Sequence, residues 1–364
     1  NTLTMAYPQE DGSWRLYGEK WFCSNPDAGF GMVLARVDGG PPGMKGISLF
    51  LLPRQLDDGS TNHYQIVRLK DKMGTRSMAS GEIRMDGAIA YLVGEQGRGF
   101  VQIADMVNNS RLSNGMRSAG MMRRAVAEAE FIARERWAFK HRLQDLPLMR
   151  VQLDKLRVPA EQARTMVFQT AATLARSDAG DKTAYALLRI LTPLIKFRAC
   201  RDARKVTGDA MEVRGGCGYI EEWADPRLVR DAHLGSIWEG TSNIVALDVK
   251  RAIKREGSLP VLQEYLLGLL ADTQGITPAY RQALTDALAR AVQLSEHAVA
   301  EHGEKLVRQA ATALYNCTTA IAMVWEASKT GSAERMRLSR LVLAHRVLPR
   351  DPMAESVVPA EWVH

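Results

Sequence analysis

The stretch Gly94-Glu95-Gln96-Gly97-Arg98-Gly99 divides this sequence into two parts of different character. Before it, short apolar and aromatic runs alternate with turn signals such as Asp11-Gly12 and Asp57-Asp58-Gly59, a pattern that predicts strands. After it, Ala, Leu, Arg, Met and Glu predominate, and apolar residues recur at helical spacing. Strands followed by a run of helices predict an α+β protein rather than an alternating, doubly wound sheet.

Three domains follow from this division. A β-sandwich or barrel is predicted over 1–98, an α-helical bundle domain over 99–254, and an additional C-terminal helical extension over 255–364. Strands are predicted at 14–17, 32–37, 47–52 and 64–67, and helices at 100–140, 150–177, 180–210, 260–271, 279–300, 303–327 and 332–348. The first residue, Asn1, already belongs to a working pattern, so the start of the natural chain is expected to be absent.

Composition excludes several classes of protein. With 364 residues, of which 46% are hydrophobic and 24% charged, the chain can bury more than one core, unlike a disordered tail or a disulfide miniprotein. No apolar run approaches the roughly 20 residues needed to span a bilayer, so no membrane-spanning helix is predicted. The net charge of +7 lies mainly between residues 101 and 250, which suits phosphate-bearing ligands such as nucleotide cofactors, coenzyme A or nucleic acid.

Cysteines and common motifs add further exclusions. The chain has four scattered cysteines, Cys23, Cys200, Cys217 and Cys317, which form no CxxC pair. This pattern indicates a reducing, cytoplasmic setting and no cysteine metal site. No Walker P-loop, HExxH or GxSxG occurs, and no GxGxxG joins a strand to a helix. These absences leave no support for a nucleotide hydrolase, a zincin, a serine hydrolase or a Rossmann dehydrogenase.

Two clusters have the residue types for binding a flat or anionic ligand. In Trp21-Phe22-Cys23-Ser24-Asn25, a strand places Phe22 and Ser24 on one face, a ring for stacking beside a hydroxyl. An ordinary strand end is the alternative interpretation. In Arg214-Gly215-Gly216-Cys217-Gly218-Tyr219, the glycines allow backbone N–H groups to approach a ligand closely, although a helix C-cap explains them equally well.

A third cluster, Ser236-Ile237-Trp238-Glu239-Gly240-Thr241-Ser242-Asn243, has a candidate base. Thr241 or Ser242 is expected to cap the following helix, which places Glu239 just outside a helix N-terminus beside an indole. A carboxylate in such an apolar pocket can have its pKa tuned for proton abstraction. The alternative is an acid that only stabilises the helix dipole.

Taken in order, these clusters resemble the acyl-CoA dehydrogenase superfamily from Asn1 to about Arg255. The segments that carry the resemblance are 18–25, 72–77, 94–100, 136–139, 215–219, 230–232 and 238–244. The resemblance implies a β middle domain, an α-helical C-terminal domain and FAD as cofactor. It also implies that the N-terminal helical domain of the family is missing from this chain.

The resemblance assigns roles residue by residue. Glu239 aligns with the base that removes a proton α to the thioester, and Trp238 and the more loosely matched Arg111 align with positions near the substrate. The positions that align with cofactor contacts are Phe22, Ser24, Thr241 and Asn243 on the same subunit, and Arg136, Phe139, Glu212, Gly215 and Gly216 toward the FAD of a neighbouring subunit. A homo-oligomer, dimer or tetramer, is therefore implied.

Departures from the family pattern affect the neighbouring-subunit set. The family often has Thr at the position of Ala138, Gly at Lys140 and Gln at Glu212. An acid at 212 would repel a phosphate, whereas beside a ribose hydroxyl it would accept a hydrogen bond.

The sequence around Glu239 is most similar to the AidB-type alkylation-response branch, which has a C-terminal helical extension and is associated with DNA. Two main functions stay open. One is FAD-dependent α,β-dehydrogenation of a short or branched acyl-CoA, with electron-transfer flavoprotein as a possible acceptor, and the other is a DNA-associated flavoprotein with weak or no dehydrogenase activity. Membrane association through the extension, as in the very-long-chain members, is a third and less favoured alternative. For DNA, the candidate contacts are Arg335, Arg337, Arg340, Arg346 and Arg350, although a solvated helix face is the simpler interpretation.

Overall fold

The structure, a computed structural model, describes residues 3–354 and 358–363. Contacts divide the chain into two compact units, one on each side of the Asn109–Ser110 bond. Strands dominate the first unit and helices the second, which confirms the α+β prediction.

The first unit contains a six-stranded sheet. Its strands are β1 Met5–Pro8, β2 Trp14–Ser24, β3 Phe30–Val37, β4 Ile47–Pro53, β5 Tyr64–Leu69 and β6 Ser80–Val93. The strand order is β2-β1-β3-β4-β6-β5, and β2 also pairs with β6, so five strands close into a small barrel with β5 on its edge. Its core contains Leu16, Ala35 and Phe50, which are fully buried, and the Trp14 ring packs 5.2 Å from the Phe50 ring, between centroids.

Two of these strands, β1 and β6, are absent from the sequence prediction. Strand β1 has only four residues, too few for a clear pattern. In β6, Ile83 and Met85 alternate with charged residues and an apolar run follows, so β6 has a strand pattern that the sequence prediction omitted. Tertiary pairing forms β6, which lies between β2 and β5 along its first half and pairs with β4 at Tyr91–Val93.

The stretch 94–99 turns the chain from β6 into the first long helix. Gly97 has a φ of +80°, and its N–H donates to the Ser48 hydroxyl over 2.8 Å. A Cβ on Gly97 would lie 2.5 Å from the Lys45 carbonyl oxygen, and one on Gly99 would lie 2.6 Å from the Ser48 carbonyl carbon. Both positions therefore need glycine, because the turn is pressed against the backbone of the sheet.

The second unit is a helical bundle. The helices are α1 Gly99–Glu135, which begins in the first unit, α2 Pro147–Asp178, α3 Lys182–Arg214, α4 Ala224–Gly235, α5 Ser242–Glu256, α6 Ser258–Ala271, α7 Pro278–Val299, α8 Val307–Thr330 and α9 Ala333–Val342. A π-helical turn, Leu343–Val347, continues α9. A short hairpin of β7 Trp137–Ala138 and β8 His141–Arg142 follows α1.

One continuous hydrophobic core runs through the bundle. It extends from Ala119 to Trp362 and includes helices on both sides of the predicted boundary near 255. Helix α8 lies deep within it, with Leu314 and Ile321 fully buried.

A buried carboxylate joins the C-terminal helices to α3. Asp202 is 6% exposed and accepts hydrogen bonds from Arg198, 2.7 Å away on the same helix, and from the Arg346 guanidinium at 2.7 and 2.9 Å. Such a buried pair is costly to break from one side, because the remaining charge keeps its desolvation cost.

We expect Asp202→Asn to lower the free energy of unfolding by about 3 kcal/mol, since two guanidinium groups lose their anionic partner. Urea unfolding measures the change. The control, Asp209→Asn, removes only a surface partner of Lys205 on the same helix and should cost at most about 0.5 kcal/mol. Equal effects of the two variants would contradict the role of Asp202.

Candidate active site

The turn between α4 and α5 holds the candidate base, Glu239. Glu239 has a φ of 54° and Gly240 a φ of 100°, both in the left-handed region. A Cβ on Gly240 would lie 3.2 Å from Ile244 and 3.3 Å from Val245, so the glycine also brings the turn close to α5. A non-glycine residue held at positive φ is a local cost that the surrounding structure must offset, and such residues concentrate at functional sites.

A buried lysine of α3 fixes this turn. Lys196 is 2% exposed, and its ammonium group donates to three backbone carbonyls: Gly235, Trp238 at 2.7 Å and Gly240 at 3.5 Å. These carbonyls lie before and after Glu239 in the chain, so one side chain holds both ends of the segment. Burial lowers the pKa of Lys196, with Arg111 and Arg117 acting in the same direction and Cys200 and Glu239 opposing it.

A second cation reaches the backbone of Glu239 itself. Arg111, on α1, donates from Nε to the Glu239 carbonyl at 3.2 Å and from Nη1 to Asp248 at 2.5 Å. Asp248 is 2% exposed and also accepts from Arg251 at 2.8 Å. Arg111 therefore links α1, the turn and α5. Its guanidinium contacts the backbone of Glu239 here, and its predicted place near the substrate stays a prediction.

The Glu239 carboxyl is half-buried beside these cations. Burial raises its pKa above the ordinary glutamate value, and the positive charges of Arg111 and Lys196 partly oppose the rise. The carboxyl group is therefore less acidic than a solvated one and accepts a proton more readily, and its predicted role as a base stays a prediction.

Trp238 lies between two cations. Its carbonyl accepts from Lys196, and the guanidinium carbon of Arg117 lies 5.4 Å from the centre of its ring. The indole Nε1 is buried without a hydrogen-bond partner within the described residues, as is Nε of Arg117. Burial lowers the pKa of Arg117.

The helix after the turn begins at the expected place but without the expected cap. Thr241 occupies the N-cap position of α5, yet its side chain accepts no capping hydrogen bond. The Thr241 hydroxyl is therefore not hydrogen-bonded to the backbone N–H groups in the first turn of α5. Asn243, which is exposed, accepts from Arg308 of α8 over 3.2 Å.

The predicted neighbouring-subunit residues gather at the end of α3. Gly215 ends this helix with a φ of 72°, which supports the C-cap interpretation of the glycine cluster. Arg136 donates to the Arg214 carbonyl at 3.2 Å, and a Cβ on Gly215 would lie 2.9 Å from Arg136 Nη1. Arg136, Glu212, Gly215 and Gly216 are all exposed.

Phe139 stands at the tip of the hairpin between β7 and β8. Phe139 and Lys140 have φ values of 50° and 66°, a backbone in which the family's glycine would be unstrained at position 140. Phe139 is 86% exposed, and the partly buried Ala138 packs against the bundle core.

In the strand unit, Phe22 and Ser24 lie at the end of β2. Both are exposed and Cys23 between them is half-buried, as the alternation predicts, even though the register with β6 shifts between Lys20 and Cys23. Phe22 is 74% exposed, an apolar ring open to a ligand.

Sequence reasoning missed Lys196 and Asp248. The usable signal for Lys196 was its position inside the apolar run Leu194-Ile195-Lys196-Phe197, where a lysine is expected to have found buried partners. For Asp248 the nearby Arg251 gives only a local partner at helical spacing, and the partners from α1 and α3 become visible in the structure.

Most of the arginines that were candidates for DNA contact are engaged in ion pairs. Arg335 pairs with Glu161 and Glu326, Arg337 with Asp154, and Arg346 with Asp202. Their charges are therefore balanced within the bundle.

In the ranges 3–354 and 358–363, no group of three or more His, Cys, Asp or Glu side chains is arranged to hold a metal ion. Over the same ranges, none of the helices combines the length and apolar character needed to cross a membrane.

Comparison with known proteins gives consistent matches. The model of the acyl-CoA dehydrogenase middle domain matches residues 1–88, and that of the acyl-CoA dehydrogenase C-terminal domain matches residues 97–254. Acyl-CoA dehydrogenase family member 11 of Caenorhabditis elegans is 36% identical over 278 residues, covering 74% of this chain and 45% of that protein. The putative acyl-CoA dehydrogenase AidB of Escherichia coli K12 is 38% identical over 259 residues, covering 71% of this chain and 46% of that protein.

A solved structure extends the similarity to the C-terminal helices. Caenorhabditis elegans ACDH-11 in complex with C11-CoA superposes with a TM-score of 0.88 at 30% identity, over 96% of this chain and 62% of that one. The chain spans about half the length of the curated relatives it matches.

We expect Lys196→Met to lower the free energy of unfolding by about 3 kcal/mol, because buried carbonyls of the turn lose their donor. Urea unfolding measures the loss. Lys205→Met, on the same helix but with a side chain 77% exposed, is the matched control and should change stability by at most about 0.5 kcal/mol. A Lys196 variant as stable as that control would remove the lysine from its role in fixing the turn.

Proposed function

Because the chain belongs to the acyl-CoA dehydrogenase family, we propose that it takes part in FAD-dependent α,β-dehydrogenation of a short or branched acyl-CoA thioester, with Glu239 as the base. The observation that carries this proposal is the Glu239 carboxyl, half-buried with a raised pKa in a turn that Lys196 and Arg111 hold. A glutamate with a purely structural role at a helix start needs neither the burial nor the left-handed backbone.

The residues present fit FAD. In the strand unit, Phe22 offers an exposed ring for a flat heterocycle, with the Lys70 ammonium 4.9 Å from the ring centre and the Ser24 hydroxyl nearby in sequence. In the helical unit, the Thr241 hydroxyl is not used as a cap. The Arg136 guanidinium lies beside Gly215, where the backbone has no side chain to cover it. A cation next to an accessible backbone suits a phosphate. The family uses FAD, which when bound accepts the hydride that leaves the β-carbon of the substrate.

Glu239 has a defined task in this scheme. Its carboxylate accepts the proton from the carbon α to the thioester carbonyl. Burial makes that carboxylate more basic, and the positive charges of Arg111 and Lys196 partly oppose this effect. The two cations also orient it, since both hold backbone atoms of the turn and leave the carboxyl itself free to meet a substrate.

Trp238 supports the short or branched acyl group. It occupies a position where the family often has the smaller Tyr, and its ring is held beside Arg117. A large, fixed side chain next to the base narrows the space for an acyl chain. The binding of C11-CoA belongs to ACDH-11, so the chain length accepted here is part of the proposal.

A homo-oligomer, dimer or tetramer, is part of the same proposal. The positions aligned with contacts to the FAD of a neighbouring subunit are exposed on the bundle: Arg136, Phe139, Glu212, Gly215 and Gly216. Residues that reach a neighbouring subunit need this exposure. We also propose electron-transfer flavoprotein as the electron acceptor and a cytoplasmic location for the protein.

The DNA-associated alternative has weaker support. Its sequence basis was the similarity to the AidB-type branch together with the arginines of the last helices. Since Arg335, Arg337 and Arg346 pair with carboxylates, they offer little net charge to phosphates.

Glu239→Gln is expected to reduce the rate of flavin reduction by acyl-CoA by roughly 10²- to 10⁴-fold, the contribution of a general base, with FAD still bound. The loss of visible flavin absorbance after mixing with a panel of acyl-CoA thioesters measures this rate. Glu264→Gln, an exposed glutamate of α6, is the control and should reduce normally. Flavin reduction that survives the Glu239 substitution would exclude this residue as the base.

The same assay should depend on pH in a defined direction. The base acts only when ionised, so kcat/KM falls as the pH falls through the pKa of Glu239. Because burial raises that pKa above the ordinary 4.5, the midpoint of the acid limb should lie above pH 4.5. A rate constant that stays unchanged down to pH 4.5 would contradict the assignment.

A further inference from the structure

Three arginines converge on the segment that includes the candidate base. Arg201 and Arg204 come from α3, and Arg308 comes from α8, outside the region that the family models match. Arg201 donates to the Ser242 hydroxyl at 3.2 Å, Arg204 to the Ser236 hydroxyl at 3.3 Å, and Arg308 to the Asn243 side-chain oxygen at 3.2 Å. All three guanidinium groups therefore lie along the strip 236–243.

No carboxylate balances these charges. Within the described part of the chain, none of the three guanidinium groups has an acidic oxygen within 4.0 Å, whereas the neighbouring Arg198 pairs with Asp202. Burial lowers the pKa of Arg201, and repulsion by Arg308, Arg198 and Arg204 lowers it further, against a weaker opposing effect of Asp202. The ligand-free protein thus holds like charges together at a cost in free energy, which an anion would offset.

Among the residues that the structure describes, most N–H donors of these three guanidinium groups have no hydrogen-bond acceptor. A guanidinium has five N–H donors in a planar fork that matches phosphate oxygens. Each of these arginines donates one hydrogen bond to a neutral oxygen, which orients the guanidinium group without neutralising its charge. Next to them, the uncapped first turn of α5 adds backbone N–H groups and the positive end of a helix dipole.

We propose that Arg201, Arg204 and Arg308 bind the diphosphate group of an adenine nucleotide ligand. Three cations along an eight-residue strip match a compact, multiply charged group. They do not extend into the long track that a nucleic acid backbone needs, because Arg335, Arg337 and Arg346 toward the C-terminus are ion-paired. FAD and coenzyme A both contain an adenosine joined to a diphosphate, and either is a possible source. The identity of the ligand rests on the proposed function, which the site would extend by naming the residues that hold its nucleotide.

The test is equilibrium binding to the intact 364-residue chain, measured by calorimetry. ADP is the probe for the shared group, FAD and coenzyme A are the two candidate sources, and riboflavin lacks a phosphate. The double variant Arg201→Gln/Arg308→Gln should weaken ADP binding at least tenfold, which is about 1.4 kcal/mol, and leave riboflavin binding unchanged. Whichever of FAD and coenzyme A loses the same factor is the source.

Controls separate this result from misfolding and from general charge. Arg123→Gln/Arg290→Gln removes two exposed arginines on other helices and should leave ADP binding unchanged. Arg308→Gln alone changes only an exposed side chain and should weaken ADP binding severalfold, even if the double variant is unstable.

Three results would overturn the proposal: no binding of ADP by the unaltered chain, equal ADP affinity in the double variant, or a loss confined to binding of duplex DNA. None of these results depends on Glu239. Failure of the phosphate site therefore leaves the flavin reduction test intact, and failure of the Glu239 test leaves the ADP result standing.

Discussion

The buried ammonium group of Lys196 is the interaction on which the candidate site depends. A lysine 2% exposed needs full compensation for its lost hydration, and the carbonyls of the α4–α5 turn supply it. The requirement is mutual, since those carbonyls are themselves turned inward and need donors. Glu239 is thereby held in a backbone conformation that it would rarely adopt alone.

A chain of charges extends this arrangement through the bundle. Arg111 connects the carbonyl of Glu239 to Asp248 of α5, and Asp248 pairs in turn with Arg189 of α3 and with Arg251 on its own helix. The net effect on Glu239 is a balance between burial, which favours the protonated acid, and two nearby cations, which favour the carboxylate. A base needs both: enough basicity to take a proton and enough ionisation to be ready.

The arginines of the helical bundle separate into two groups with different roles. One group pairs with buried or half-buried carboxylates, as Arg346 does with Asp202, and joins the C-terminal helices to α3. The other group consists of Arg201, Arg204 and Arg308, which lie beside the start of α5. In the described part of the chain, these three have no carboxylate oxygen within 4.0 Å. The same residue type thus contributes stability in one place and an unsatisfied demand for an anion in another.

Apolar spacing, glycine punctuation and local motifs are encoded by near neighbours, and they were enough to predict the fold class, the long helices and Glu239 as a candidate base. Closure of the barrel depended on tertiary structure, since β6 pairs with β2, β4 and β5, which are distant in the chain. The roles of Lys196 and Asp248 did so as well: most of their partners are distant in the chain, and a buried charge shows its purpose only when the groups that compensate it are in place.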